Sequence, residues 1–369
     1  MSNQDLKFTI GRRPFMTRAL ALLSSAPLLA LSRGEAQAQQ SSRMSAGAFD
    51  FGIIGDMPYT RKQEAEYGRV LDDINTRELA FVAHVGDMMS DPRPYERNPD
   101  SARTPCTDEN YAYVLGTLQS CKHPVVITPG DNDWADVVAF KKQKMDPLER
   151  LEKVRDTFFP KGKSLGQRTM AVESQADDPA HAKFRENLAW SINGVTFATL
   201  HVIGSSDNAR DADEHGPRLA ANVAWVKRAF AAARANNSAG IVLISHANPG
   251  FENRWTRSYA NRYARSVRGA KAPKEAAASP YDPFLDALIA EMQTYNKPVI
   301  YIHGDTHIFR IGKPLMNPKT KRFFENFTRV ETFGWPDSNW VKIGVNPANP
   351  HLFEVSPEVV SGNSANYPA

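Results

Sequence analysis

Three times in this chain an apolar run of strand length stops on Gly-Asp: from Phe49 before Gly55-Asp56, from Leu79 to Val85 before Gly86-Asp87, and from Pro124 to Thr128, through Pro129, before Gly130-Asp131. A helical spacing of Tyr67, Val70, Leu71 and Ile74 follows the first run, and Asn110 to Leu118 reads as a helix between the second and third. Repeated strand, loop, helix predicts βα units with parallel strands. In open α/β folds the loops past the carboxyl ends of such strands hold the ligands. A lone Asp after a strand is usually a turn former or helix cap, so the recurrence carries the argument. With 369 residues, 41% of them hydrophobic, one large globular domain is expected, and 22 Gly with 25 Pro exclude collagen-like or broadly disordered material.

Further along, residues 146 to 158 read as a helix and 161 to 187 as a polar surface insertion. Asn193-Gly194 between Ala189–Ile192 and Val195–Ile203 is a strong hairpin signal. Leu219 to Ala235 reads as an alanine-rich helix, Gly240 to Ser245 as a buried strand ending on His246, and 251 to 279 as a basic polar insertion. Pro283 to Tyr295 is the last long helix, and Pro298 to His303 a strand ending in Gly304-Asp305-Thr306-His307. Short strands are expected from Phe323 to Val355, and there is no internal repeat. Early parallel units and late hairpins predict an α/β layered sandwich of two mixed β-sheets flanked by helices.

The N-terminus has its own grammar. Lys7, Arg12, Arg13 and Arg18 precede an apolar run from Ala19 to Leu31, and Ala36-Gln37-Ala38 supplies small residues for a cut. Residues 1–38 therefore read as a signal peptide, with Arg12-Arg13 of twin-arginine type, ordinary secretory export being the alternative. Residues 39–48 would be a linker and 49–360 the domain, placed in the periplasm or outside the cell. Residues 1–38 hold five Lys/Arg and two Asp/Glu, so the formal charge of +4 falls to +1 without them. That excludes a broad basic surface for nucleic acid, and the mature chain shows no apolar segment long enough to span a membrane. Cys106 and Cys121 are the only cysteines; in an oxidising compartment they are a disulfide candidate, with two free thiols the alternative.

Five strand ends thus present Asp56, Asp87, Asp131, His246 and the pair Asp305 and His307, which points to a metal site. In order and spacing, Gly55-Asp56-Met57-Pro58, Gly86-Asp87-Met88-Met89, Gly130-Asp131-Asn132-Asp133, Ser245-His246 and Gly304-Asp305-Thr306-His307 resemble the blocks of the calcineurin-like metallophosphoesterases. The resemblance runs from Phe51 to about Arg310 and implies that family's sandwich, a dinuclear centre and hydrolysis of a small phosphorylated substrate. By position Asp87 would bridge two divalent ions, Asp56 and His307 would hold the first, and Asp131, His246 and Asp305 the second. Two such ions lower the pKa of a bound water and offset charge on the phosphoryl oxygens during in-line attack.

Several letters depart from the family pattern. Pro58 stands where a ligating His is expected, and the next residue, Tyr59, either supplies a phenolate or packs on a neighbouring loop. Asp131 replaces an Asn and Asp305 a His, so oxygen donors dominate; this favours Mn, Mg, Ca or Fe while leaving Zn possible. Asn132 occupies the place of the family's leaving-group His and cannot act as an acid, which leaves Asp133 or a metal-bound water for that task. Arg310, Asn208 and Asn248 are candidate substrate contacts, whereas His84, His201 and His303 lie within strands and read as core or supporting residues. Met57 in place of a nucleophilic Ser removes a Gly-Asp-Ser esterase. The rival that remains is a catalytically silent exported binding protein on the same fold, and neither the choice of monoester or diester nor the oligomeric state is encoded in any motif.

Overall fold

A computed structural model describes residues 47–99, 102–252 and 278–363, all within the unit Ser45–Ala369. The expected export signal, most of the linker and most of the basic 251–279 insertion lie outside the described residues.

Two mixed β-sheets pack face to face with helices outside. The first has the order β12-β11-β1-β2-β3, from β1 (Phe49–Ile54), β2 (Val82–His84), β3 (Val125–Ile127), β11 (Trp340–Val345) and β12 (Phe353–Glu358). The second runs β4-β5-β6-β7-β8-β10-β9, from β4 (Glu173–Ser174), β5 (Leu188–Ile192), β6 (Val195–Leu200), β7 (Gly240–Ser245), β8 (Val299–His303), β9 (Arg310–Gly312) and β10 (Phe327–Glu331). In the first sheet β1, β2 and β3 are parallel, and β11 and β12 join antiparallel. In the second, β6, β7, β8 and β10 are parallel, flanked by antiparallel β4, β5 and β9.

The parallel strands are buried on both faces, which is why they read as continuous apolar runs. Along β7, Val242 and Ile244 enter the cluster between the sheets, while Ile241 and Leu243 enter a second cluster with Trp225, Phe230, Phe284 and Leu288. Those partners sit on α5 (Ala212–Ala235) and α6 (Asp282–Met292). Between the sheets Phe51 stacks on Phe81 at 4.7 Å, and Phe197 meets both rings edge-on. The helices α1 (Arg61–Asn75), α3 (Asp108–Gln119) and α4 (Pro147–Phe158) add Val70, Val114 and Val154 to the same cluster, and a short α2 (Pro92–Arg97) lies between α1 and α3 in the chain. No described helix is long and apolar enough to cross a membrane.

Register places the site. Ile54, His84 and Ile127 are aligned across β1, β2 and β3, so the loops holding Asp56, Asp87 and Asp131 leave one edge together. Ile244 pairs with Ile302, so His246 and Asp305 leave the second sheet side by side. Helix α1 starts directly after the first loop because the Thr60 side chain accepts the Gln63 N–H as an N-cap.

Some expectations change. Asn193 and Gly194 do form the hairpin turn, both at positive φ, but β6 stops at Leu200 and α5 begins seven residues before Leu219, at Ala212. Its polar first turns are capped by Asp211 and hide Arg218, which apolar periodicity cannot register. The 161–187 stretch is tied into both sheets, since Leu165 bridges Val125 and Glu173–Ser174 pairs with β5. The disulfide is overturned: Cys106 and Cys121 are buried free thiols. They flank the 12-residue α3, roughly 18 Å long, whereas a bridge needs Cα atoms within about 7 Å. Cys106 Sγ instead lies 3.1 Å from the Asn132 carbonyl.

Candidate metal centre

The structure brings the six predicted ligands together at the common strand edge. Two groups have donor atoms mutually within 4.8 Å: Asp56, Asp87 and His246, and Asp131, His246 and Asp305. His246 Nε2 lies 3.0 Å from Asp131 Oδ1, 3.4 Å from Asp87 Oδ1 and 3.7 Å from Asp305 Oδ1. His307 Nε2 is 3.4 Å from Asp56 Oδ1. His246 Nε2 is common to both groups, and Asp87 Oδ1, the oxygen expected to serve both ions, lies 3.4 Å from it.

Each histidine is turned by its other nitrogen. Nδ1–H of His246 donates to the Val85 carbonyl at 2.9 Å, and that of His307 to the Trp335 carbonyl at 2.8 Å. Both Nε2 atoms then offer lone pairs towards carboxylate oxygens, and facing acceptors repel unless a proton or cation lies between them. The electrostatics agree. Burial, reinforced by Asp131 and Asp133 against the pull of His246, pushes Asp87 well above the usual carboxylate range. Burial likewise drives Asp305 up to about 7. Burial would lower His246, yet Asp87, Asp131, Asp56 and Asp305 raise it well above an ordinary imidazole. Burial opposes ionisation of Asp131, but the neighbouring His246 ring and the Ser205 hydroxyl hold its pKa low. Crowded negative charge of this kind is what divalent cations offset, so the donor set fits hard or borderline ions.

Backbone geometry is specialised here. Asp56, Asp87, Asp305 and His307 all have positive φ, from 52° to 75°, a region non-glycine residues seldom occupy. Gly304 is needed for close approach, because a Cβ there would sit 2.0 Å from Asp56 Oδ2. Its neighbour Asp305 donates its N–H to Asp56 Oδ1 at 3.1 Å, joining the two sheets at the site.

Around Asp87 the packing is polar. Asn132 donates its N–H to Oδ1 at 2.9 Å and its Nδ2 to Oδ2 at 2.7 Å, and the Tyr59 hydroxyl donates to Oδ2 at 2.8 Å. Tyr59 also lies edge-on to His307, so beyond Pro58 it fills the space beside the first group. Asp133 is fully buried and accepts the N–H groups of Asp87, Met89 and Gly130 at 3.0, 3.0 and 2.8 Å. Burial, against those bonds and His246, lifts it to about 6. Its carboxylate shapes two ligand loops.

The suggested substrate contacts each have partners within the protein. Asn208 bonds Glu214 and Arg210, Asn248 bonds Glu252 and the Gly250 N–H, and Arg310 Nε donates to Glu331 at 2.5 Å. His84 and His303 are buried, with burial lowering them to about 4 and about 3, as core or supporting residues should be.

Sequence reasoning missed Ser205. Its Oγ donates to Asp131 Oδ2 at 2.8 Å and lies 3.0 Å from Asp136 Oδ1. Residues 205–208 run consecutively at φ between 48° and 59°, a left-handed turn that Ser-Ser-Asp-Asn does not announce. Buried Arg218 secures it by donating to the Asp207 carboxylate at 2.6 Å and the Asp207 carbonyl at 2.8 Å.

No family model matches the chain, and comparison with curated proteins returns no match. Among solved structures it is similar to that of PhoD, at 13% identity and TM-score 0.49, covering 83% of this chain and 65% of that one. It is also similar to the crystal structure of a 5′-nucleotidase precursor from Thermus thermophilus, at 9% identity and TM-score 0.40, covering 85% and 54%. The chain therefore spans less than two thirds of either neighbour. Likeness this remote carries no argument about activity, which has to come from the site. Fold and site together define a layered α/β sandwich with a buried Asp/His cluster able to hold metal ions.

Proposed function

We propose that this chain is an exported metal-dependent phosphoesterase. The observation that supports it is the meeting, at one edge of two packed sheets, of two Asp/His groups that share His246. Asp56 and His307 would hold one divalent ion and Asp131, His246 and Asp305 a second, with the Asp87 carboxylate able to serve both, because the His246 Nε2 has one lone pair and can serve only one ion. Bound ions would supply charge neutralisation for a phosphoryl group and an activated water.

The protein's own groups do the rest. Val85 and Trp335 carbonyls keep both imidazoles presenting Nε2, and Asp133 holds the loops of Asp87 and Asp131 in register. Asn132 Nδ2 and the Tyr59 hydroxyl, both donors directed at Asp87 Oδ2, are placed to reorient towards a phosphoryl oxygen. Asn132 has no acidic proton, and burial followed by the charge of Asp87 raises Tyr59 well above an ordinary phenol and makes it a weak acid, so protonation of the leaving group is the weak point of this constellation.

Metal analysis of the loaded chain should find two ions, and hydrolysis of an aryl phosphate should vanish in Asp87→Asn. A loaded protein that holds ions yet releases no phosphate would establish the silent binding protein instead. Export is tested separately: replacing Arg12-Arg13 with two lysines should retain the protein in the cytoplasm.

A further inference from the structure

Large apolar side chains on the surface are informative when they crowd a charged cavity and uninformative when scattered. Seven are exposed among the described residues, and two of them, Ile308 at 63% and Trp335 at 46%, stand on the loops that carry or touch His307.

Trp335 is not on a loose loop. Its N–H donates to the Asp56 carbonyl at 3.0 Å, and its carbonyl accepts from His307 Nδ1 at 2.8 Å. The preceding Gly334 lies so close that a Cβ would come within 2.5 Å of Asp56 Cβ and 3.1 Å of the His307 ring. Phe309 and Phe333 stack at 4.9 Å and bind the loop of Ile308 to the loop of Trp335. Main-chain bonds to two candidate ligands therefore position Trp335, while nearly half its surface stays in solvent. Burying that indole was open to the fold, since Phe309 and Phe333 on the same loops do pack on the core.

We propose that Trp335, with Ile308 on the adjoining loop, is a specificity platform for a flat ring in the alcohol portion of the substrate. The inference rests on the phosphoesterase reading. The phosphoryl group must enter the carboxylate and imidazole cluster, so the rest of the ester extends past its rim, and the main chain of Trp335 borders that cluster at Asp56 and His307. An indole face offers large contact area at low entropic cost and stacks on any planar ring, aryl or nucleobase. A purely aliphatic or polyol alcohol would gain little from it.

The test uses calorimetry on the metal-loaded full-length chain with phenylphosphonate and methylphosphonate, whose carbon–phosphorus bonds are not esters. A second arm compares KM for adenosine 5′-monophosphate and ribose 5-phosphate, which separates a nucleobase from a smaller aryl ring. The ring-bearing member of at least one pair should win by about tenfold. That advantage, read as the ratio within each pair, should collapse in Trp335→Ala and return in Trp335→Phe. Equal values within both pairs, or a preference that survives Trp335→Ala, would overturn the platform alone. A parent that holds its ions yet binds neither phosphonate and hydrolyses neither ester would overturn the phosphoesterase reading with it.

Discussion

Asn132 spends both its N–H and its side-chain amide on the Asp87 carboxylate, and Nδ2 also lies 3.2 Å from the Tyr59 hydroxyl. An amide orients but does not protonate, and general acid catalysis is typically worth about 10²–10⁴-fold. Aryl phosphates should therefore outrun alkyl phosphates in kcat/KM, and Asn132→His should narrow that ratio; an unchanged ratio would show that another group already supplies the proton. Ser205 acts one step back, through Asp131. Removing a hydrogen bond that orients a ligand commonly costs about 10–100-fold in metal affinity. Ser205→Ala should weaken one of the two ions by about that factor, read by calorimetric metal titration. Loss at both ions equally would mean a general structural effect. The ligands are legible as letters after strands, whereas Ser205 is not, because its place depends on a turn fixed by Arg218 from another element.

At the scale of elements, α4 is fastened to the end of the 161–187 stretch by a buried ion pair. Arg155 donates to Glu186 through Nε at 2.9 Å and through its terminal nitrogen at 2.6 Å, and His201 Nδ1 lies 2.8 Å from the same carboxylate. Burial would raise Glu186, but Arg155 and then His201 hold it far below the ordinary range. A depressed carboxylate contributes stability above its unfolded pKa of about 4.3, and loses that contribution as pH falls towards the folded value. Arg155→Met leaves the buried carboxylate without its guanidinium, with only the His201 ring beside it, and should cost about 3–5 kcal/mol in urea unfolding at pH 7. In Glu186→Gln the deficit against the parent should shrink below about pH 4, where the unfolded parent takes up its proton. A deficit that does not change with pH would assign the loss to packing instead. The stretch reads as a polar excursion because buried charge carries no hydrophobic signal in a sequence.

Across the whole molecule, side chains scattered from Asp56 to His307 meet at one edge because two sheets are packed with their parallel strands ending together. Ions bound there favour only the folded chain, adding about 2.7 kcal/mol at a free concentration a hundred times Kd. Chelation should lower Tm of the parent, and the shift should be much smaller in Asp87→Asn; an equal shift in both would place the stabilising ion elsewhere. The strand, Gly-Asp and helix pattern, the Asn-Gly hairpin and the two strand-end histidines are local facts, so the layered α/β fold and all six candidate ligands are legible in the amino-acid sequence by itself. Local pattern is legible because burial period, turn chemistry and strand ends each act within a few residues of chain. Tertiary structure alone decided that the two groups meet at His246, that Cys106 and Cys121 stand apart at opposite ends of α3, that Ser205 reaches Asp131, and that Trp335 is pinned beside Asp56 while staying nearly half exposed. Each of those joins residues far apart in sequence, and such pairings are set by the packing of the sheets and the register of their strands, which no short window of residues contains.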